Sequence, residues 1–134
     1  RAREILKEDG VILPPTKEFR LRPGAKIGNT VATTQLMRQP YPQVIVLSEW
    51  VMASHPLGKM LVLYHEVGHI VLENAMCREH RLLPYLAPYR TEESAELIGW
   101  YLLHRVTYKE SGVPFPFETF LENLDRYLHV SGYV

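Results

Sequence analysis

The chain has one cysteine, Cys77, so no internal disulfide can form and the fold must hold without covalent staples. That usage fits a reducing compartment, and a cytoplasmic location is expected. Cys77 itself reads as a small, partly buried side chain rather than a reactive thiol. An excess of charge of either sign is also missing. Fifteen basic side chains balance 15 acidic ones, which removes the bulk electrostatic basis for a nucleic-acid or membrane partner. The scattered Arg1, Arg3, Arg20 and Arg22 read as solvated surface, so no direct nucleic-acid contact is expected from this segment. No apolar run reaches the roughly 18 to 20 residues that span a bilayer. The longest, Leu57 to Leu72, is interrupted by Lys59, His65, Glu66 and His69. The opening RAREILKEDG is amphipathic and charged, unlike a signal peptide. Repeats and low-complexity tracts are absent as well.

What is present is one domain's worth of chain, 134 residues, with strand signals first and helix signals after. Residues 1–8 predict a short helix with Ile5 and Leu6 inward, ending near Gly10. Lys17 to Arg22 (KEFRLR) alternates as a half-buried strand would, with Phe19 and Leu21 on one face. Pro23-Gly24 signals a turn, and the β-branched stretch Gly28 to Met37 is broken by QPYP at 39–42. Gln43 to Leu47 (QVIVL) is an apolar run short enough for a buried strand. A small antiparallel or mixed sheet over about 15–50 follows. From Ser54 the period changes: a capping serine, an early proline and a long apolar run predict a helix over Pro56 to Asn74. Residues 75–90 read as a loop or broken helix. A capping threonine and first-turn acids predict a helix over Thr91 to Val106, and Glu118 to His129 a further amphipathic one. The expected class is α+β in a single domain, 1–134.

The helix over 56–74 carries an anomaly. His65 and His69 lie four apart in LVLYHEVGHIVLE, with Glu66 beside the first. On a helix that spacing aims two imidazoles at one point, as two ligands of a tetrahedral zinc require. Glu66, about 100° further around, lies beside the metal rather than on it, where a general base is needed. This is the H-E-x-x-H pattern of zinc peptidases. The three polar groups would be costly to bury unless paired or metal-bound.

A catalytic zinc needs a third protein ligand and an open position. The extended three-histidine form is absent, because Leu72 and Ala75 stand where glycine and the last histidine would be. The acidic start of the next long helix offers Glu92, Glu93 and Glu96. Glu92 and Glu96 share a face, so Glu92 is taken as ligand and Glu96 as the support of a ligand imidazole through its free N–H. Glu93 points off that face and reads as solvated. His80, in a loop, is the competing ligand. His55, His104 and His129 read as structural or surface residues, and Glu73 as a solvated helix residue. An oxyanion-stabilising side chain is expected in such a site; Tyr64, Tyr85, Tyr89, Tyr101 and His104 remain open as candidates.

These residues resemble the ImmA/IrrE-like zinc metallopeptidases, compact members of the gluzincin group. An apolar strand, VIVLSEW, leads into a helix carrying YHEVGHIVLEN, close to the family's AHELGHLLLH style. Downstream, EESAELIGWYLL is similar to the family's E-x-E-A-N-x-F-A-x-x-L-L, with Glu92 at the ligand position, Ala95 at the alanine and Leu102-Leu103 closing the pattern. Ser94, Glu96 and Gly99 depart from it, and residues 43–103 carry nearly all of the likeness. The resemblance implies a cytoplasmic zinc endopeptidase that cleaves a protein substrate, a transcriptional repressor, with sheet strands aligning an extended peptide. Two other readings stand beside it. One is a latent or inactive zincin-fold regulatory module that keeps its zinc, for example a self-inhibited homodimer whose tail PFPFETFLENLDRYLHVSGYV covers the cleft. The other is an α+β domain with no metal.

Overall fold

The computed structural model describes residues 1–22, 31–38, 41–53 and 55–133. The α+β class expected from the sequence is what the chain adopts. Helix α1 (Ala2–Glu8) buries Ile5 and Leu6 and ends ahead of Gly10. Strands β1 (Thr16–Arg20), β2 (Ala32–Gln35) and β3 (Gln43–Leu47) follow. A short helix α2 (Glu49–Met52) precedes the long α3 (Pro56–Glu73). Two 3-10 turns, Ala75–Cys77 and Leu83–Leu86, lead to α4 (Thr91–Ser111), and α5 (Phe117–Glu122) and α6 (Leu124–Val130) complete the described chain.

The sheet is mixed, in the order β1-β3-β2. β2 pairs antiparallel with β3, Ala32 opposite Leu47, while β1 pairs parallel with β3, Thr16 opposite Gln43. A short connection returns β3 beside β2, so β1 takes the far side of β3. Along β3, Gln43, Ile45 and Leu47 are buried in alternation, as a half-covered strand requires. The buried Gln43 amide spans the turn: its Nε2 donates to the Met37 carbonyl at 2.9 Å, and its Oε1 accepts from the Met37 N–H at 3.0 Å.

Several boundaries differ from the sequence reading. β1 starts at Thr16, and Phe19 is 51% exposed instead of half-buried. β1 is the edge strand farther from α3, so its alternation finds no cover. The expected Pro23-Gly24 turn, residues 28–30 of the second strand, residues 39–40 of the QPYP breaker and the Ser54 cap lie outside the described residues. α3 is capped by His55, whose Nδ1 accepts from the Leu57 N–H at 3.2 Å. α4 begins after Arg90, not at a threonine cap, and runs five residues past Val106, to Ser111 (111 − 106). It stops at Gly112, which adopts φ 70°, a left-handed value that other side chains resist. The single helix expected over 118–129 is two helices, broken at Asn123, whose side chain donates to the Thr119 carbonyl at 2.7 Å. Cys77 is fully buried, and burial pushes its thiol pKa up.

The core lies where α3 and α4 cross, and two glycines set how closely. A Cβ on Gly68 would come within 2.5 Å of the Ala95 carbonyl oxygen, and one on Gly99 within 3.0 Å of the His65 nitrogen. The two backbones are therefore in near contact at the level of His65. That approach brings the first turns of α4 within reach of the histidines on α3. Gly99 therefore has a packing reason in this crossing.

Candidate metal centre

His65, Glu66 and His69 are carried by the middle of α3, where the helix is held by α4 on one side and β2 on another. His65 and Glu66 are buried, and His69 is partly so. One ligand atom from each of the three lies within 4.8 Å of the others, and the group could hold a metal ion. The imidazole rings of His65 and His69 stand 4.9 Å apart, edge to face.

α4 supplies the carboxylates. Glu92 Oε2 lies 2.6 Å from His69 Nε2 and 3.7 Å from His65 Nε2. The Glu92 carboxylate oxygen is thus close to an imidazole nitrogen of each histidine. Around a tetrahedral zinc with bonds of about 2.0–2.1 Å, ligand atoms sit roughly 3.3 Å apart, a spacing these distances bracket. Glu96, one turn further and buried, places Oε1 at 2.7 Å from His65 Nδ1. With Nδ1–H donating there, Nε2 is left as the lone-pair nitrogen that faces the centre. Burial pushes the His65 pKa down, but the Glu96 hydrogen bond and the charges of Glu96, Glu66 and Glu92 outweigh it, leaving His65 above its ordinary 6.5.

Glu66 belongs to the same metal-competent group, and one of its oxygens is already engaged by the sheet. Its Oε2 stands 3.9 Å from His65 Nε2, while its Oε1 accepts a 2.7 Å hydrogen bond from Thr34 Oγ1 on β2. The same hydroxyl reaches the Glu66 backbone carbonyl at 3.2 Å. Two cavities flank the motif and share Ala32, Glu66 and Glu92. One, of about 380 Å³, adds His65, Glu96 and Tyr133 with apolar Val31, Leu61 and Val62. The other, of about 310 Å³, adds His69, Glu73, Thr33, Thr34 and Leu36.

The remaining sequence candidates fall elsewhere. Glu93 accepts the Arg90 N–H at 2.9 Å and so caps α4 instead of being merely solvated. His80, the competing ligand, lies away from the centre in a buried hydrogen-bond network. It is 2% exposed, its Nδ1 accepts from the Leu82 N–H at 3.1 Å, and its Nε2–H therefore donates to Asp9 Oδ2 at 2.8 Å. Tyr101 donates to the same Asp9 oxygen at 2.6 Å, and Arg105 pairs with the other. Tyr89 donates to Asp125 at 2.6 Å, Tyr85 packs edge-on against Phe117, and Tyr64 is a core residue. His104 sits among Trp100, Phe120 and Tyr127. None of these five candidates lines either cavity.

Two site residues were not among the candidates, Thr34 and Tyr133. The Tyr133 ring lies 26° from parallel to that of His65 at 6.3 Å. Burial, followed by the charges of Glu96, Glu92 and Glu66, pushes its phenol up to about 12. The sequence signal for it is Gly132, a helix-stop residue that fixes where the chain leaves α6.

Comparison with family models, curated proteins and solved structures finds no match to this chain. Among the described residues no helix is long and apolar enough to cross a membrane.

Proposed function

We propose that the protein is a zinc-dependent metallopeptidase, with His65, His69 and Glu92 as ligands and Glu66 as general base. The observation that carries this reading is the cluster of His65, Glu66 and His69, with Glu92 Oε2 within 2.6 Å of His69 Nε2 and 3.7 Å of His65 Nε2, and with one Glu66 oxygen engaged by Thr34. Bound there, zinc would act as a Lewis acid, acidifying a water and polarising the scissile carbonyl. Glu66 takes a proton from the attacking water and returns it to the leaving amine. Thr34 fixes one oxygen of that carboxylate and leaves the other toward the reaction centre. Glu96 fixes the His65 tautomer.

β2 supports an endopeptidase in particular. Among the described residues it ends the sheet on the side of the motif, and Thr33 and Thr34 line the adjoining cavity. An extended peptide laid along that edge would gain backbone hydrogen bonds while its scissile bond passed Glu66. With the sequence resemblance to ImmA/IrrE-like peptidases, this favours a protein substrate, a transcriptional repressor under the same reading. The test is zinc content by mass spectrometry together with Glu66-dependent cleavage of a proteome-derived peptide library. One zinc per chain, lost in Glu92→Ala, with cleavage lost but zinc retained in Glu66→Gln, is the expected result. Undiminished cleavage in Glu66→Gln, or no zinc in the wild type after supplementation, sinks the reading.

A further inference from the structure

Hydrolysis of a peptide places negative charge on the carbonyl oxygen, and a hydrogen-bond donor aimed at that oxygen speeds the reaction only if it is already in place. The cavity beside His65 and Glu66 offers few such donors. Glu66, Glu92 and Glu96 supply acceptors, and His65 Nδ1 is engaged with Glu96. Tyr133, whose ring stacks near that of His65, is the one residue lining this cavity, among the described residues, whose side-chain donor has no protein partner.

The chain holds Tyr133 there by several independent contacts. α6 ends in Gly132, with φ 82°; the Gly132 N–H donates to the His129 carbonyl at 3.1 Å and the Tyr133 N–H to the Leu128 carbonyl at 2.9 Å. This paired closure is a Schellman motif, which sets the direction of the residue after the glycine. One residue earlier, Ser131 Oγ accepts from Trp100 Nε1 at 2.8 Å, tying the end of α6 to α4. Tyr127 of α6 stacks on Trp100 at 5.3 Å and on Phe120 at 5.0 Å. Residues from α4 therefore fix both the carboxylates of the centre and the helix that delivers the phenol.

We propose that Tyr133 is a catalytic residue, its phenol donating a hydrogen bond to the scissile carbonyl oxygen as negative charge builds on it. The inference rests on the peptidase reading, and two readouts separate the fates of the two. Glu66-dependent cleavage of the peptide library judges the peptidase reading. The affinity of the zinc-loaded chain for N-phosphoryl-Leu-Trp judges Tyr133, because the phosphoryl oxygens stand in for the charged oxygen of the reacting peptide. Tyr133→Phe keeps the ring and removes only the hydroxyl. It is expected to bind the probe about tenfold more weakly, with zinc content and melting temperature unchanged. In library cleavage it should lower kcat about 100-fold with little change in KM, and Tyr133→Ala should also lose activity. Equal probe affinity in wild type and Tyr133→Phe, or no probe binding by the wild type, overturns the proposal whatever the cleavage result. Faster turnover in either variant also overturns it, and identifies Tyr133 as a side chain that occludes the site.

Discussion

Thr34 Oγ1 donates to Glu66 Oε1 at 2.7 Å, so a residue of the edge strand holds the carboxylate at the heart of the candidate site. The contact crosses from sheet to helix and fixes one oxygen of the Glu66 carboxylate beside the two histidines. Thr34→Val preserves shape and removes the donor. Its expected effect is a drop in turnover of about tenfold or more, since one hydrogen bond to a charged group is worth about 1.5–3 kcal/mol. Zinc content should not change, because Thr34 touches no ligand atom. Steady-state kinetics on a cleaved library peptide checks this, and unaltered kcat would show that Glu66 is positioned by α3 alone.

Glu96 acts on the centre through His65, at 2.7 Å from its Nδ1. Removing it in Glu96→Ala frees the ring to rotate and to change tautomer. Partners of this kind are worth about 10- to 100-fold in metal affinity, and a competitive chelator titration measures the loss. The affinity of the wild type should itself weaken as pH falls, because a proton and a metal compete for His65, whose pKa is raised above the usual 6.5 by Glu96, Glu66 and Glu92 against its burial. Zinc binding that is indifferent to Glu96 would reduce the contact to packing.

The α3–α4 crossing makes a prediction about stability. Gly68 has no room for a methyl group, since the Ala95 carbonyl oxygen lies 2.5 Å from where its Cβ would be. Gly68→Ala should therefore cost about 2–3 kcal/mol by forcing the helices apart, overriding the gain of roughly 1 kcal/mol that alanine brings to a helix interior. Urea denaturation gives the difference directly. Gly99→Ala meets a less severe 3.0 Å contact with the His65 backbone, and its cost should be smaller. A stabilised Gly68→Ala would mean that the helices are free to separate.

These contacts also explain what could be read from the sequence alone. His65, Glu66 and His69 belong to one helix, and Glu92 and Glu96 to one face of another, so local spacing was enough to group them. Thr34 and Tyr133 act across the fold. Thr34 matters because β2 runs beside α3, and Tyr133 because Gly132 ends α6 over the centre; no local period encodes either. The burial of His80 is equally invisible to local spacing, because it depends on Asp9, which lies far from it in sequence. The alternation in KEFRLR described β1 correctly as a strand but not its cover, since which strand lies under a helix is decided by sheet order. The break at Asn123 was hidden inside an apolar period that runs through both α5 and α6.

The Asp9 network predicts an acid limb in the stability profile. Burial alone would raise the Asp9 carboxyl, but hydrogen bonds from His80, Tyr101 and Arg105, with the Arg105 charge, hold it at about 2, against an ordinary value of 3.8. The folded-state pKa is depressed, so the native chain releases this proton more readily than the unfolded one. The resulting stability is fully present above about pH 4 and is lost as pH falls toward 2. A shift of this size corresponds to about 2 kcal/mol. Carbon-detected titration of the Asp9 carboxyl should show a midpoint near 2. Asp9→Asn should be less stable than wild type at neutral pH and should lose less stability between pH 4 and 2, because its amide carries no charge for acid to remove. If the two proteins instead lost stability in parallel over that range, the network joining α1, the loop at His80 and α4 would be held by packing and neutral hydrogen bonds, not by the Asp9 charge.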